Sequence, residues 1–263
     1  MNFRFIALTV CLIIPGYLLS QQADTINKTD EAGLKQGHWI KKYPNGAIQY
    51  DGYFRKDNPY GPFKRYYNTG KIQSVLIFND NGSEAEATFY HPNGFVASKG
   101  RYINQEREGK WLFYSAKTEN YLLCEEYYLS NKKQGKSVKY YPDSTLLEEV
   151  NYTNDVRTGT WIQYYPDGKI CLKAYYIDGK LDGDFEVYFN NGSPQYKGQY
   201  KNDAREGNWI LYNQDGSVKH RIQYIHSVAQ NPELSKEASD YLDTLEKNKG
   251  KIADPEITGT IWN

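Results

Sequence analysis

The sequence predicts an all-β fold: an open antiparallel solenoid of β-hairpins that resembles a repeat array, closed at its end by a short C-terminal capping helix. Three observations predict this class. Aromatic residues make up 16% of the 263 residues, and 26 residues are Tyr, which is typical of strands. The chain has 22 Gly but one Met, which favours turns over a helical bundle. A self-similar segment also recurs along most of the chain, which is the signature of a repeat architecture.

The charges of the chain are balanced. There are 32 Lys and Arg against 32 Asp and Glu, so the formal net charge is +0. A balanced charge gives no electrostatic reason to expect a nucleic-acid or anionic-membrane partner. We therefore expect no nucleic-acid partner, and the sequence leaves membrane contact open.

Residues 1–20 have the pattern of a signal peptide. Arg4 is followed by an apolar run from Phe5 to Leu19 and then by Ser20, and this run is too short to span a bilayer comfortably. We expect cleavage near Ser20 and a secreted, periplasmic or cell-envelope location. An uncleaved anchor is the alternative, whereas lipidation of Cys11 is disfavoured because Val10 stands where a small residue is wanted.

The next two segments are a half-unit cap, residues 21–36, and a repeat domain of eight units, residues 37–226. Each unit starts at a small residue, in order Gly37, Gly61, Ala85, Gly109, Gly135, Gly159, Gly183 and Gly207. The interval is 24 residues, except for 26 residues between Gly109 and Gly135. Two positions after each start the chain has Trp39, Phe63, Ala87, Trp111, Ser137, Trp161, Phe185 or Trp209.

Each unit is predicted to form one β-hairpin. A first turn such as Pro166-Asp167-Gly168 supplies the positive φ of a two-residue hairpin loop. A second turn, of the type that begins at Asn202-Asp203, leads into the next unit. Hairpins joined head to tail give an antiparallel sheet that grows along one axis. A leucine-rich repeat is excluded because no Leu ladder is present, and a propeller blade needs a longer period.

The unit written Gly159-Thr160-Trp161-Ile162-Gln163-Tyr164-Tyr165-Pro166-Asp167-Gly168 resembles the bacterial variant of the MORN repeat. The resemblance extends over residues 37–224. It implies a scaffold role in protein or lipid contacts, and some bacterial members are antitoxins. The chain has Tyr where the standard unit has Gly and lacks the following His-Gly pair, which argues against phospholipid binding. The signal peptide argues against an intracellular antitoxin.

The expected pairing places one apolar face on the sheet. A two-residue loop pairs Tyr43 with Ile48, Lys41 with Tyr50, and Trp39 with Gly52, where the ring is expected to cover the open backbone. The same face is expected to carry the aromatic column Phe54, Phe78, Tyr102, Tyr128, Tyr152, Tyr176, Tyr200 and Tyr224. It is also expected to carry the aliphatic column Ile48, Ile72, Val96, Leu122, Leu146, Ile170 and Val218. The opposite face, with Gln49 and Asp51 and, in later units, Lys173, Lys197 and Arg221, is expected to be solvated.

The candidate binding residues form a column five positions after the unit start, which we call the Tyr column. Its members are Tyr66, Tyr90, Tyr114, Tyr140, Tyr164, Tyr188 and Tyr212. We place it on the solvated face and expect it to be a contact surface. The alternative is sheet stabilisation, because Tyr has high β propensity and stacked rings in neighbouring units support one another.

The sequence offers no catalytic or metal-binding pattern. The four His are scattered, and no zinc, nucleophile-elbow or phosphate-loop motif is present. The carboxylate pairs Glu125-Glu126 and Glu148-Glu149 are expected to be split across the two faces and solvated, because neighbouring strand residues point to opposite sides. We expect no enzyme activity, no cofactor and no metal. Cys124 and Cys171 lie two units apart, so we expect no disulfide, which needs Cα atoms within about 7 Å.

Residues 227–263 are predicted to be a C-terminal tail with a helix over about 232–247. Pro232 suits the first helical position. The positions Leu234, Ala238, Tyr241, Leu242 and Leu245 mark one helical face. Its expected role is to cover the last edge of the sheet.

These observations lead to one expected function and two alternatives. We expect a secreted or envelope-associated repeat scaffold that binds a protein or polymeric ligand through its extended sheet, since a linear array presents the same side chains many times. A passive structural envelope protein and a glycan-binding module are the alternatives, and the partner is then a protein, a polysaccharide or none.

Overall fold

The computed structural model describes residues 25–234, which form 20 strands of one sheet and a single 3-10 turn. The first ten strands are β1 Lys28–Thr29, β2 Lys35–Lys42, β3 Ile48–Arg55, β4 Asn58–Tyr66, β5 Ile72–Phe78, β6 Glu84–Tyr90, β7 Val96–Ile103, β8 Glu106–Tyr114, β9 Leu122–Leu129 and β10 Lys132–Lys133. The others are β11 Gly135–Tyr140, β12 Leu146–Thr153, β13 Val156–Tyr164, β14 Ile170–Ile177, β15 Lys180–Leu181, β16 Gly183–Tyr188, β17 Pro194–Lys201, β18 Ala204–Tyr212, β19 Val218–Ile225 and β20 Val228–Ala229.

The sheet is an unclosed antiparallel meander. Strands that neighbour each other in the chain pair with each other, and the short β10 and β15 continue into β11 and β16 against the same partners. Within the described residues, the first strand does not pair with the last. The prediction of an open hairpin solenoid is therefore confirmed.

The first turn of each unit differs from the prediction. The Gly46 N–H donates to the Tyr43 carbonyl and the Tyr43 N–H donates to the Ala47 carbonyl, so the loop has three residues. Gly46 has a φ of 85°, while Asn45 keeps a negative φ. This is a type I turn followed by a left-handed glycine and a bulge. Ile48 consequently pairs with Lys42, and the predicted pairing of Tyr43 with Ile48 is wrong.

The pairs beyond this bulge follow the prediction. Trp39 pairs with Gly52, and Lys41 pairs with Tyr50. The two-residue loops with positive φ at both positions lie instead at the second turn, as at Asn202 with φ 49° and Asp203 with φ 67°. The second turn is thus the tight one in seven of the eight units; the exception is the second unit, whose loop has its positive φ at Gly82.

The two faces of the sheet differ in burial as predicted. We call the buried side the inner face; it carries the aromatic column that ends at Tyr224 and the residues two positions after each unit start, which are aromatic in every unit except at Ala87 and Ser137. Trp209, Ile222 and Leu172 are fully buried there. Since the described residues contain no second layer, this burial requires the sheet to curl around its own inner side chains. A bulge in nearly every hairpin supplies such a bend.

The aliphatic column is not part of this buried core. Ile72, Ile170 and Val218 are 39%, 40% and 44% exposed, and the other members are half-buried. They occupy the last pair before the first turn, between the bulge and the turn; Ile72, Ile170 and Val218 pair there with members of the Tyr column. The prediction that this column lies on the buried apolar face is therefore wrong.

The buried residues separate into two clusters along the array. One cluster includes Leu76 and Trp111, and the other runs from Val150 to Tyr224. Between them, Ser137 stands where other units have an aromatic ring. The core is therefore interrupted near the middle of the array.

The ends of the chain are described only in part. Residues 25–36 add the short β1 against β2, at the place predicted for the N-terminal cap. Pro232–Leu234 form the 3-10 turn, and the rest of the helix predicted over 232–247 lies outside the described residues, as does the signal peptide. No helix in residues 25–234 is long and apolar enough to cross a membrane. Cys124 and Cys171 form no disulfide in this part of the chain.

Candidate functional site: the outer face of the sheet

The Tyr column lies on the face opposite the core, which we call the outer face. Each member is the last residue of the first strand of its hairpin and pairs with the first residue of the second strand. Tyr164 pairs with Ile170, and Tyr212 pairs with Val218. All seven tyrosines are half-buried, so each keeps part of its surface in contact with solvent.

Glutamates of the outer face bind the hydroxyl groups of the column in the middle units. The Tyr164 hydroxyl donates to Glu149 Oε2 at 3.2 Å, and the Tyr188 hydroxyl donates to Glu186. Tyr140 is hydrogen-bonded to Glu125 in the same way. Each carboxylate therefore fixes one ring of the column.

A lysine neutralises each of these glutamates. Lys136 Nζ lies 3.1 Å from Glu149, Lys197 Nζ lies 2.9 Å from Glu186, and Lys110 pairs with Glu125. The units around Tyr140 to Tyr188 thus present a repeated group of Tyr, Glu and Lys. Such a group offers hydroxyl, carboxylate and ammonium groups to a ligand at each step.

The pKa values keep these tyrosines protonated at neutral pH. Burial raises the pKa of Tyr66, Tyr114, Tyr140 and Tyr164, and nearby carboxylates raise it further. Burial and the hydrogen bond to Glu186 raise the pKa of Tyr188 to about 12. The Tyr188 hydrogen bond and Lys197 in turn lower the pKa of Glu186, against the effect of burial. These five tyrosines are therefore neutral phenols that can donate hydrogen bonds.

Three cations, one in each of the last three units, form a row on the outer face beside the Tyr column. Lys173, Lys197 and Arg221 occupy equivalent positions on β14, β17 and β19, and Lys173 and Arg221 are exposed. Tyr175 stands two residues further on the same face and is 46% exposed. The solvated surface predicted here is observed at Lys173 and Arg221, whereas Lys197 is half-buried and pairs with Glu186.

Comparison with known proteins identifies the repeat. Four segments match the family model of the MORN repeat variant: residues 59–80, 133–154, 157–178 and 181–202. Each match starts two residues before a unit start, at Gly61, Gly135, Gly159 and Gly183. These four segments are MORN repeat variants. The expected resemblance to the MORN repeat variant is confirmed in them.

The other comparisons add little to the MORN assignment. No curated protein matches the chain. One solved structure that it resembles, described as "Crystal Structure of TcdB2-TccC3-TEV", is 12% identical over 72% of this chain and has a TM-score of 0.20. The chain spans 12% of that protein's length, and so remote a similarity carries no argument.

Sequence reasoning missed a second tyrosine column that joins neighbouring MORN units. The Tyr141 hydroxyl donates to the Tyr164 carbonyl at 2.8 Å, and the Tyr165 hydroxyl donates to the Tyr188 carbonyl at 2.6 Å. Tyr43, Tyr67 and Tyr121 make the same bond to the column carbonyl of the next unit. For Tyr67, Tyr141 and Tyr165 the signal was present in the sequence as Tyr-Tyr doublets, whereas Tyr43 and Tyr121 are not part of such a doublet.

A column of cations inside the sheet was also missed. It stands two positions before the unit start, and its cations lie over inner rings: Arg107 over Tyr128 at 4.1 Å, Arg157 over Tyr176 at 5.6 Å and Arg205 over Tyr224 at 5.7 Å. Lys35 and Lys133 make similar contacts. These cations cover one margin of the aromatic core, so their role is in packing.

The paired glutamates follow the prediction only in part. Glu125 and Glu149 lie on the outer face and Glu126 and Glu148 on the inner face, so each pair is split across the sheet as expected. The inner glutamates are not solvated, because Glu126 is 6% exposed and binds Lys133 at 2.8 Å. Lys139 lies 2.7 Å from Glu148. The expectation that these carboxylates are solvated is wrong for Glu126 and Glu148.

No group of His, Cys, Asp and Glu in residues 25–234 has the arrangement of a metal site. The inner glutamates are bound by lysines, and the Trp161 and Gln163 side chains also donate to Glu148. We call these ion pairs, Glu126 with Lys133 and Glu148 with Lys139, the polar junction between the two core clusters. The outer face remains the surface with repeated chemistry available to a ligand.

Proposed function

We propose that the protein is a non-enzymatic scaffold, secreted or associated with the cell envelope, that binds an extended protein or polymeric ligand along its outer face. The MORN repeats make it a repeat scaffold; the binding role is the new step. The observation that supports it is the recurrence of the Tyr, Glu and Lys group at Tyr140, Tyr164 and Tyr188. Repeated weak contacts at a fixed step give avidity to an extended partner.

A passive structural role is the second candidate, and one observation favours it. The Tyr164 and Tyr188 hydroxyls are already engaged by glutamates, and the ring of each is half-buried. Such contacts stabilise a sheet without any ligand. The two functions therefore differ in whether loss of the rings changes binding or only stability.

The deciding experiment measures saturable binding of the mature chain to cell envelopes of the source organism. The test variant combines Tyr140→Thr and Tyr164→Thr, which keeps β-branched strand formers and removes two rings of the column. The control combines Tyr53→Thr and Tyr60→Thr, which removes two rings elsewhere in the array. Binding that is lost in the test variant alone, with a nearly unchanged melting temperature, supports the proposal.

Two outcomes count against it. A large fall in melting temperature with binding retained by the folded fraction supports the structural role. Equal loss of binding in the control rejects the Tyr column as the contact surface. The proposed location has its own measurement: the mass of the exported protein is expected to show a new N-terminus near residue 20, and an intact N-terminus would support an anchor.

A further inference from the structure

The row of Lys173, Lys197 and Arg221 places one cation on each of three successive MORN units. The three residues occupy the same position of the second strand in each unit, so they are two strands apart. Two interstrand spacings amount to about 9.6 Å, which sets the distance between neighbouring cations to that order. The row runs along the axis of the array, across the strands.

One acid, Glu186, lies inside this row, because it is the cross-strand neighbour of both Lys173 and Lys197. Glu186 is bound by Lys197 and by the Tyr188 hydroxyl. Asp184 accepts a hydrogen bond from the Gln199 amide at 3.0 Å. Lys173 and Arg221 form no ion pair within residues 25–234. Three cations therefore face the two carboxylates of Glu186 and Asp184, and the row keeps an excess of one positive charge.

The flanks of the row are suited to sugar rings. On one side stand Tyr164, Tyr188 and Tyr212 of the Tyr column. On the other side stand the exposed ring of Tyr175 and the exposed amides of Gln199 and Gln223. Aromatic faces stack on the C–H groups of pyranose rings, and amides exchange hydrogen bonds with hydroxyl groups.

The step of the row matches one class of polymer. About 9.6 Å, two interstrand spacings, is close to the advance of two pyranose rings in an extended β-linked chain. A chain with a carboxylate on every second sugar would place one anion near each cation. A polypeptide strand or a nucleic-acid strand carries its repeat at a shorter step and would not keep this register.

We infer that the outer face of the last three units binds a linear polysaccharide that carries a carboxylate on every second sugar, with one disaccharide on each unit. Lys173, Lys197 and Arg221 bind the carboxylates, and Tyr175 stacks on a sugar ring. The inference rests on the proposed binding role of the outer face and gives the chemical class of its ligand.

The test uses the full mature chain and defined probes in isothermal titration. Hyaluronan oligosaccharides carry a carboxylate on every second sugar; chitin oligosaccharides are uncharged, polygalacturonate is charged on every sugar, and poly-glutamate is an acidic peptide. We expect saturable binding of hyaluronan that strengthens up to the hexasaccharide, which supplies two sugars for each of three units. Chitin oligosaccharides, polygalacturonate and poly-glutamate are expected to bind at least about tenfold more weakly.

The matched variants distinguish the effect of the charges in this row from the effect of the total charge of the protein. Lys173→Gln with Arg221→Gln is expected to weaken hyaluronan binding by about tenfold and to reduce its dependence on salt. The control, Lys42→Gln with Lys64→Gln, removes two exposed charges at the other end of the array and is expected to leave binding unchanged. All four positions are exposed, and unchanged melting temperatures verify that the variants fold.

Three results would overturn the inference: no binding of hyaluronan by the folded protein, equal binding of poly-glutamate, or equal weakening by the control variant. Failure here does not remove the proposed function, since envelope binding that depends on Tyr140 and Tyr164 would survive it with a different ligand. Absence of envelope binding would reject the proposed function. The hyaluronan titration tests the ligand class independently of that result.

Discussion

At the scale of single residues, three glycines are required by the rings that lie over them. A Cβ on Gly52 would lie 2.2 Å from Phe63 Cδ2, and a Cβ on Gly198 would lie 2.2 Å from Trp209 Cδ2. Gly100 lies under Trp111 in the same way. The sequence predicted a ring over Gly52 but assigned it to Trp39, because pairing within one hairpin was known and packing between hairpins was not. The covering ring belongs to the next unit.

Gly198→Ala is expected to lower the free energy of unfolding by about 1–3 kcal/mol, because the Trp209 ring or the backbone must shift to admit the methyl group. Urea unfolding measures the change. The neighbouring exposed substitution Gln199→Ala serves as the control and is expected to have little effect. A Gly198→Ala variant as stable as the control would show that the ring has room to move.

The glycine of the first turn has a different requirement, which the sequence did predict. Gly168 has a φ of 82°, and a Cβ there would meet nothing within 4 Å. Only the backbone conformation therefore opposes a side chain at this site. Gly168→Val is expected to cost about 1–3 kcal/mol because β-branched residues are strained at positive φ.

The matched variant for this turn is Lys169→Ala, whose side chain is exposed and is expected to contribute little. Thermal unfolding compares the two variants. Equal melting temperatures would contradict the left-handed conformation of Gly168.

At the scale of elements, the loops show why an Asn-Gly motif alone did not predict the correct loop length. Asn45-Gly46 suggested a two-residue loop, yet Pro44 precedes it, and its fixed φ of about −65° suits the first central position of a type I turn. That residue was the available signal for a three-residue loop. The tight loops with two positive φ values lie where the sequence has pairs such as Asn202-Asp203 and Lys56-Asp57. The sequence Lys56-Asp57 does not by itself predict a two-residue turn.

The tyrosine bonds between units are also element-scale features. Tyr141→Phe removes one hydroxyl that donates to the Tyr164 carbonyl and leaves the ring in place. We expect a loss of about 0.5–1.5 kcal/mol in the free energy of unfolding, the usual contribution of one hydrogen bond. Tyr175→Phe, which removes an exposed hydroxyl, is the control. A loss no larger than that of Tyr175→Phe would show that the bond between units contributes nothing.

At the scale of the whole molecule, the fold was predictable from the sequence and the polar junction was not. The period of the unit start is visible over eight copies, so the array and its faces could be predicted. The ion pairs at Glu126 and Glu148 depend on side chains from neighbouring strands meeting in a buried place. Nothing in a strand pattern distinguishes a buried glutamate with a lysine partner from a solvated one. The candidate binding row was visible as charges, but its regular step needed the strand pairing.

The junction should make stability depend on pH. Burial raises the pKa of Glu148, but Lys139, Gln163 and Trp161 outweigh it and hold the pKa below its usual value of 4.5. A lowered folded pKa stabilises the protein above the usual value, and this contribution is lost as the pH falls through the folded value. Glu148→Gln is expected to cost up to about 3 kcal/mol at pH 7, because Lys139 loses its partner inside the sheet.

The check is urea unfolding of both proteins from pH 7 down to the acid range. The difference in stability between the wild type and Glu148→Gln is expected to hold down to about pH 5 and to shrink below the usual carboxyl value. The exposed substitution Glu106→Gln is the control. A difference that stays constant on acidification would contradict the lowered pKa of Glu148.

The bonds between units have a consequence for how such a chain changes in length over generations. Each hydroxyl of the Tyr43 and Tyr165 type bonds to a backbone carbonyl, and a carbonyl is the same in every unit. If residues 159–182 were lost in frame, Tyr141 would meet the Tyr188 carbonyl in place of that of Tyr164. The gene can therefore gain or lose whole units by recombination between its own copies, and natural selection can adjust the reach of the molecule without a new fold.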